Sequence, residues 1–277
     1  MKIIFKIGMI VSLIFNPAKS QNKSIILFPE EGKMHCNIIK SLPKKQRWAL
    51  TMPETIGCEE EGMLLNFPGL PIHWETNNDS QTVASSYTIP EKISYSLLVL
   101  AHEDFVDAEM TIKNLTKNTW HNVWSFNCLS PSGAEDYQDT LLERTYMSSG
   151  NKPILLSKTT RKIGPRPTIG VYYSDKVAAD KEYPFVEDFE ATSPIRTDDS
   201  YLIAFSKDGN YYMAATSPQA LFLFDNLEYK CIHSAPLFGD IQPQQSVTVT
   251  CRFYFSKGSV EDFVERFKKD KKANFNN

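Results

Sequence analysis

The 277-residue sequence contains none of the short motifs that usually identify a catalytic or nucleotide-binding site. It has no P-loop, GxGxxG, GxSxG, HExxH or EF-hand loop. It has no CxxC pair, and the spacings of its five cysteines resemble no zinc site. Hydrolase and nucleotide-binding functions therefore have no motif to support them, and neither a metal nor a cofactor is expected.

Long runs of basic or of apolar residues are also missing. The net charge is −3, and a mildly acidic chain without a basic run is a poor candidate for binding the phosphate backbone of nucleic acid. After the first twenty residues, no apolar stretch is long enough for a transmembrane helix. We therefore expect no nucleic-acid partner and no integral membrane segment in the mature chain.

The first twenty residues have the pattern of a signal peptide. Lys2 and Lys6 give a basic start, Ile7 to Phe15 form a short apolar run, and Ala18 and Ser20 are small residues at the positions that a signal peptidase reads. We expect cleavage after Ser20 and a secreted or periplasmic protein. The removed segment contains three lysines and no acidic residue, so its loss would take the net charge from −3 to −6.

Five cysteines are an odd number for an exported protein. Oxidising conditions permit disulfides, but an odd count leaves at least one thiol unpaired. Cys36–Cys58 and Cys231–Cys251 are the first pairs to test. The alternative is a set of buried free thiols that behave as small apolar residues.

The spacing of apolar residues predicts about a dozen short strands and one terminal helix. Val247 to Phe255 alternate cleanly between apolar and polar residues, and Asp208-Gly209 predicts a tight hairpin turn. Ser259 and Asp262 form a capping pair ahead of the helix. Because amphipathic helices between strands are missing, the sequence predicts an all-β fold. We expect an antiparallel β-sandwich or supersandwich with one short C-terminal helix, as a single domain over residues 21–277.

The segment from Asp107 to Met147 holds the densest group of aromatic, imidazole, amide and thiol side chains. Its alternation predicts two strands joined as a hairpin by the polar turn 114–118. On the second strand, one face carries Trp124, Phe126 and Cys128, and the other carries His121, Ser125 and Asn127. The first face is most simply core, so the second is expected to carry function.

Two histidines suggest general acid–base chemistry, because an imidazole titrates near neutral pH. His233 lies beside Cys231 and precedes a loop containing Asp240, which could orient it, while His121 is followed by Glu143 and Arg144. The expected catalytic residues are His233, His121, Glu143 and Arg144, and the expected substrate-binding residues are Trp120, Asn127, Asp240 and Arg252. The alternative is a structural role for each, such as a ring–carbonyl hydrogen bond for His233 or core packing for Trp120.

The segment from Ser174 to Ser200 is irregular and acidic, with eight acidic residues against three basic ones. A solvated surface loop explains this composition. A calcium ion held by carboxylate and carbonyl oxygens is the alternative, although no loop pattern requires it.

Two segments resemble those of the galactose-mutarotase-like β-supersandwich proteins. NLTKNTWHNV, from Asn114 to Val123, is similar to their strand–Asn–turn–strand unit, and His233 followed by PQQS and a strand ending in RFYF is similar to their closing segment. The resemblance covers roughly residues 107–267 and implies the supersandwich fold. Members include sugar epimerases, polysaccharide lyases, glycosidase accessory domains and proteins with no assigned activity. Gln244-Gln245 replaces the usual Gly-Glu and an NHxxFNL-type segment is missing, so the family's catalytic His and Glu are not carried over.

The leading hypothesis is therefore an exported β-sandwich protein that binds carbohydrate, or binds and processes it. One alternative is an acid–base enzyme, such as an epimerase, lyase or hydrolase, acting on a polar substrate. The other is a non-catalytic interaction domain at the cell surface. The enzyme hypothesis requires His121, Glu143, Arg144 and His233 to meet around one concave face.

Overall fold

The computed structural model describes residues 24–66, 70–161, 168–178 and 191–274. The predicted signal peptide lies outside these residues. Residues 179–190, the middle of the acidic segment, also lie outside them. The calcium site considered for that segment therefore falls outside the described residues. Within the described ranges, no helix has the length and apolar character needed to cross a membrane.

Seventeen strands and one α-helix account for the regular structure of the described residues, apart from two short 3-10 turns. The strands are β1 Ile25–Pro29, β2 His35–Ser41, β3 Lys45–Cys58, β4 Gly62–Asn66, β5 Trp74–Thr76, β6 Thr82–Ile89, β7 Ile93–Ala101, β8 Phe105–Asn114, β9 Trp120–Gly133, β10 Thr145–Ser149, β11 Lys152–Leu155, β12 Ile169–Tyr173, β13 Tyr201–Phe205, β14 Tyr211–Thr216, β15 Ala220–Asn226, β16 Cys231–Ile241 and β17 Ser246–Lys257. The helix is α1, Val260–Asn274.

The strands form two antiparallel sheets that pack face to face. Sheet A has the order β1-β2-β3-β9-β16-β15-β12, with β4 paired to β3, and sheet B has the order β11-β10-β13-β14-β17-β8-β7-β6-β5. The Trp48 ring of sheet A lies 4.9 Å from the Phe255 ring of sheet B, centroid to centroid. The predicted antiparallel β-sandwich with one C-terminal helix is confirmed.

The inner faces follow the alternation of the sequence. On β17, Cys251, Phe253 and Phe255 are fully buried between the sheets, as their spacing predicts. The Asp208-Gly209 turn joins β13 to β14, with Gly209 at a φ of +73° that favours glycine.

Helix α1 packs on the outer face of sheet B. Its capping pair is formed as predicted: the Ser259 amide donates to Asp262 Oδ2 at 2.8 Å, and the Asp262 amide donates to Ser259 Oγ at 3.2 Å. Phe263 and Phe267 are fully buried against the tyrosine rings of β13, β14 and β17. This packing fixes the helix far from the face of sheet A described below.

The predicted hairpin between β8 and β9 is wrong. β8 pairs with β7 and β17 in sheet B, whereas β9 pairs with β3 and β16 in sheet A. The turn between them carries the chain from one sheet to the other. Asn114 stabilises the crossing, because its side chain accepts from the Thr116 amide and donates to the carbonyls of Asn118 and Ile241.

Strand β3 is longer than the proline-containing sequence suggests, and it contains a bulge. Thr51 is opposite Cys128 and Thr55 is opposite Phe126, so three residues of β3 face one residue of β9. Pro53 is tolerated because it lies inside this bulge.

All five cysteines are free thiols, so neither of the two disulfides considered from the sequence is present. For Cys231 and Cys251 the reason is the topology. Cys251 points between the sheets, whereas Cys231 lines the outer face of sheet A.

Candidate functional site

A cleft of about 870 Å³ crosses the outer face of sheet A. Its walls come from β2, β3, β4, β9, β15 and β16, together with the β1–β2 and β15–β16 connections. Side chains that alternate with the core positions of these strands point into it. The lining includes Glu30, Lys33, His35, Asn37, Arg47, Thr51, Glu54, Met63, Asn66, Phe126, Cys128, Ser130, Phe224, Asn226, Tyr229, Cys231 and His233.

One wall of the cleft is polar and held in place by hydrogen bonds. Glu30 accepts from Lys33 Nζ at 2.9 Å and from Asn37 Nδ2 at 3.0 Å, and these two contacts lower the pKa of Glu30. His35 Nδ1 lies 2.7 Å from Thr51 Oγ1. The wall therefore offers both hydrogen-bond donors and acceptors to a ligand.

The cleft is also lined by aromatic and apolar groups. Tyr229, in the β15–β16 turn, has an exposed fraction of 66%, and Met63 on β4 has one of 47%. Phe126 and Phe224 are buried below them. Such a mixture of open aromatic surface and hydrogen-bonding groups is typical of sites for polar organic molecules.

The floor of the cleft holds a cluster of Cys128, Cys231, His233 and Glu54. Cys128 on β9 is directly opposite His233 on β16, and Cys231 precedes His233 by two residues on the same face. The sulfur and imidazole nitrogen atoms of these three residues lie within 4.8 Å of one another. Glu54 reaches the cluster from the β3 bulge, with Oε2 3.6 Å from His233 Nε2.

The cluster shifts the pKa values of its own members. The neighbouring Cys128 thiol lowers the pKa of Cys231, whereas the proximity of Cys231 together with burial raises the pKa of Cys128. Burial alone would lower the pKa of His233, but the adjacent Cys231 thiolate and Glu54 carboxylate raise it overall.

Of the residues expected to be catalytic, His233 lies in the cleft and His121 does not. The His233 ring stacks on Phe126 at 4.5 Å with an interplanar angle of 5°. His121 lies seven residues before Cys128 on β9, roughly 20 Å away at the usual strand rise. There, its Nδ1 contacts Glu60, which raises the pKa of His121.

Glu143 and Arg144 are also outside the residues that line the cleft. Glu143 is exposed. The Arg144 guanidinium donates to three backbone carbonyls, those of Asp136, Gln138 and Phe205. The four expected catalytic residues therefore do not meet around one concave face.

The four expected substrate-binding residues lie elsewhere as well. Asp240 accepts from the Asn122 amide at 3.0 Å, near His121 and not near His233. Trp120 is 1% exposed and packs in the core. Asn127 is fully buried between the sheets, where its Nδ2 donates to Cys251 Sγ at 3.5 Å.

Arg252 lies on the outer face of sheet B, under helix α1. Its guanidinium donates to both carboxylate oxygens of Asp107, at 2.7 and 2.8 Å, and lies 3.0 Å from Asp270. It also stacks 3.9 Å above the Phe105 ring centroid. These contacts leave the side chain 9% exposed and occupied with structural partners.

The two faces of β9 are therefore the reverse of what the sequence suggested. Ser125 and Asn127 face the inter-sheet core, whereas Phe126 and Cys128 face the cleft. One sequence signal for the cluster was present: Cys231 and His233 are two residues apart on a strand and so share a face. No signal identified Glu54, because a bulge sets its direction.

No family model and no curated protein matches the chain. Solved structures do resemble it. A galactose mutarotase related enzyme from Lactobacillus acidophilus has 8% identity and a TM-score of 0.45, with 85% of this chain and 98% of that chain covered. A galactose mutarotase-like protein from Lactobacillus casei has 7% identity and a TM-score of 0.46, with 83% and 99% covered. The structure is thus weakly similar to galactose-mutarotase-like proteins, the group that two segments of the sequence also resemble. This similarity is too weak to indicate an activity.

Proposed function

We propose that this protein binds an oligosaccharide, or a comparable polyhydroxylated molecule, in the cleft on sheet A. The observation that carries the proposal is the cleft itself, whose volume of about 870 Å³ suits a ligand of a few sugar units. Export to the cell surface or periplasm, which the first twenty residues predict, would place the cleft where such molecules are met.

The lining supports this class of ligand in two ways. Arg47, His35, Asn37 and Glu30 provide a row of donors and acceptors suited to hydroxyl groups. The exposed ring of Tyr229 provides an apolar face on which a sugar ring can stack. Since the cleft has no single strongly charged wall, a neutral or weakly charged sugar fits better than a polyanion.

A glycan array followed by calorimetric titration tests the proposal. We expect binding of at least one oligosaccharide, with affinity reduced about tenfold or more in Tyr229→Ala and in Arg47→Ala, since each loses a contact worth about 1.4 kcal/mol or more. The matched controls are Phe28→Ala, an aromatic residue 61% exposed outside the cleft, and Lys45→Ala, an exposed basic residue outside it. Binding to no glycan, or equal losses in the controls, would contradict the proposal.

A further inference from the structure

The cluster at the floor of the cleft brings together four side chains whose donor atoms suit a metal ion. Cys128, Cys231 and His233 come from two neighbouring strands, and their ligating atoms lie within 4.8 Å of one another. Cys231 Sγ is 3.6 Å from His233 Nε2. In tetrahedral zinc sites, bond lengths of about 2.0–2.3 Å put neighbouring ligand atoms about 3.3–3.8 Å apart, so this pair already has the required separation.

Glu54 provides a fourth donor, because its Oε2 atom has an ion-pair contact with His233 but no hydrogen-bond partner among the described residues. Its Oε2 atom is buried and accepts no hydrogen bond from any described residue, although the rest of the side chain is partly exposed. That oxygen lies 3.6 Å from His233 Nε2, the same nitrogen that lies 3.6 Å from Cys231 Sγ. A buried carboxylate oxygen without a hydrogen bond is costly unless a cation or proton compensates it.

The imidazole of His233 is oriented as metal-binding histidines are. Its Nδ1 lies 3.2 Å from the Phe224 carbonyl oxygen, and since a carbonyl only accepts, Nδ1 carries the proton. Zinc binding displaces the proton from Nε2, and the lone pair that this leaves faces Cys231. Phe126, stacked flat on the ring, holds this orientation. A backbone partner on the second ring nitrogen is the usual support of a histidine ligand.

We propose that Cys128, Cys231, His233 and Glu54 bind one zinc ion at the floor of the cleft. Two thiolates, one imidazole and one carboxylate form a borderline-soft donor set that favours zinc over calcium or magnesium. The ion would neutralise the two thiolates and the carboxylate that bind it. Because all four residues line the cleft, the ion would face whatever the cleft binds.

Zinc titration of the reduced, metal-depleted protein tests the site without any sugar. We expect one zinc per chain in competition with a chromophoric chelator. Cobalt(II) should give the intense thiolate charge-transfer and tetrahedral ligand-field bands of a two-sulfur site. The cobalt spectrum reports thiolate ligation in the unmodified protein, so the test does not depend on a variant that folds.

Variants then assign the ligands. Cys231→Ser and His233→Gln should weaken zinc binding at least 100-fold, and Glu54→Gln about tenfold or more. His35→Gln, a histidine of the same cleft outside the cluster, should bind zinc as the unmodified protein does. Circular dichroism of each metal-free variant checks the fold. The proposal is overturned if the reduced protein binds no zinc, if cobalt shows no thiolate band, or if zinc survives the loss of both thiols.

Discussion

Arg252 gives the most direct stability prediction, because its guanidinium is almost fully enclosed by partners. It donates twice to Asp107, contacts Asp270 of helix α1 and stacks on Phe105. Replacing one partner of a buried ion pair usually costs about 3–5 kcal/mol, since the other charge is left uncompensated. His102 Nε2 lies 3.4 Å from Asp107 and would remain, so we expect Arg252→Ala to lose about 3 kcal/mol of unfolding free energy.

Urea denaturation followed by circular dichroism measures this loss. Arg47→Ala is the control, because Arg47 is an exposed arginine of the opposite sheet and should change stability by about 0.5 kcal/mol or less. The double variant Arg252→Ala/Asp107→Ala should lose less than the sum of the single variants, with a coupling of about 1–3 kcal/mol. A loss for Arg252→Ala as small as that for Arg47→Ala would show that the contacts of Arg252 with Asp107 and Asp270 do not stabilise the fold.

The coupling should also depend on pH with a definite sign. Burial alone would raise the pKa of Asp107, but hydrogen bonds from His102 and Arg252 lower it below 3.8 overall. A lowered carboxyl pKa stabilises the folded state above the unfolded value and ceases to do so as the pH falls through the folded value. The coupling should therefore be constant above about pH 5 and decline below about pH 4. A coupling that grows on acidification would contradict the assignment.

Two further predictions concern sheet A. Gly57→Ala should destabilise the protein by about 1–3 kcal/mol in the same urea assay. The reason is that an added Cβ would lie 2.5 Å from both the Gly62 carbonyl oxygen and the Trp124 ring. A neutral effect would show that β3 and β4 are not so closely packed. The His121 pKa should lie above 6.5 when followed by NMR, because Glu60 stabilises the imidazolium, and Glu60→Gln should lower it. An unchanged midpoint in that variant would remove Glu60 as the cause.

Local features were predictable from the sequence because they depend on neighbouring residues. The Ser259–Asp262 cap, the Gly209 turn and the alternation of β17 each follow from residues within a few positions. Strand partners depend on the whole chain, which is why β8 and β9 were assigned to one hairpin. The alternation of each strand was right, but it contains no information on which sheet the strand joins.

The same limitation explains the reversed faces of β9. A strand in a two-sheet protein has two partly buried faces, and hydrophobicity does not tell them apart when both carry aromatic or polar groups. Ser125 and Asn127 are buried because they satisfy each other, through a 3.3 Å contact, and because Asn127 also reaches Cys251. The histidines were the other misleading signal. His121 and His233 belong to neighbouring strands but to positions far apart along them.

The position of the cleft on sheet A separates its chemistry from the stability of the fold. The core of the sandwich is formed by the inner faces of both sheets, and helix α1 covers sheet B, so neither includes the exposed side chains that line the cleft. Removing an exposed lining side chain such as Tyr229 or Arg47 should therefore change binding without changing the unfolding free energy. Glu54 and His233 differ, because each is charged and partly or fully buried. In the metal-free protein the His233 imidazolium compensates the charges of Cys231 and Glu54, and a bound zinc ion would take over that role.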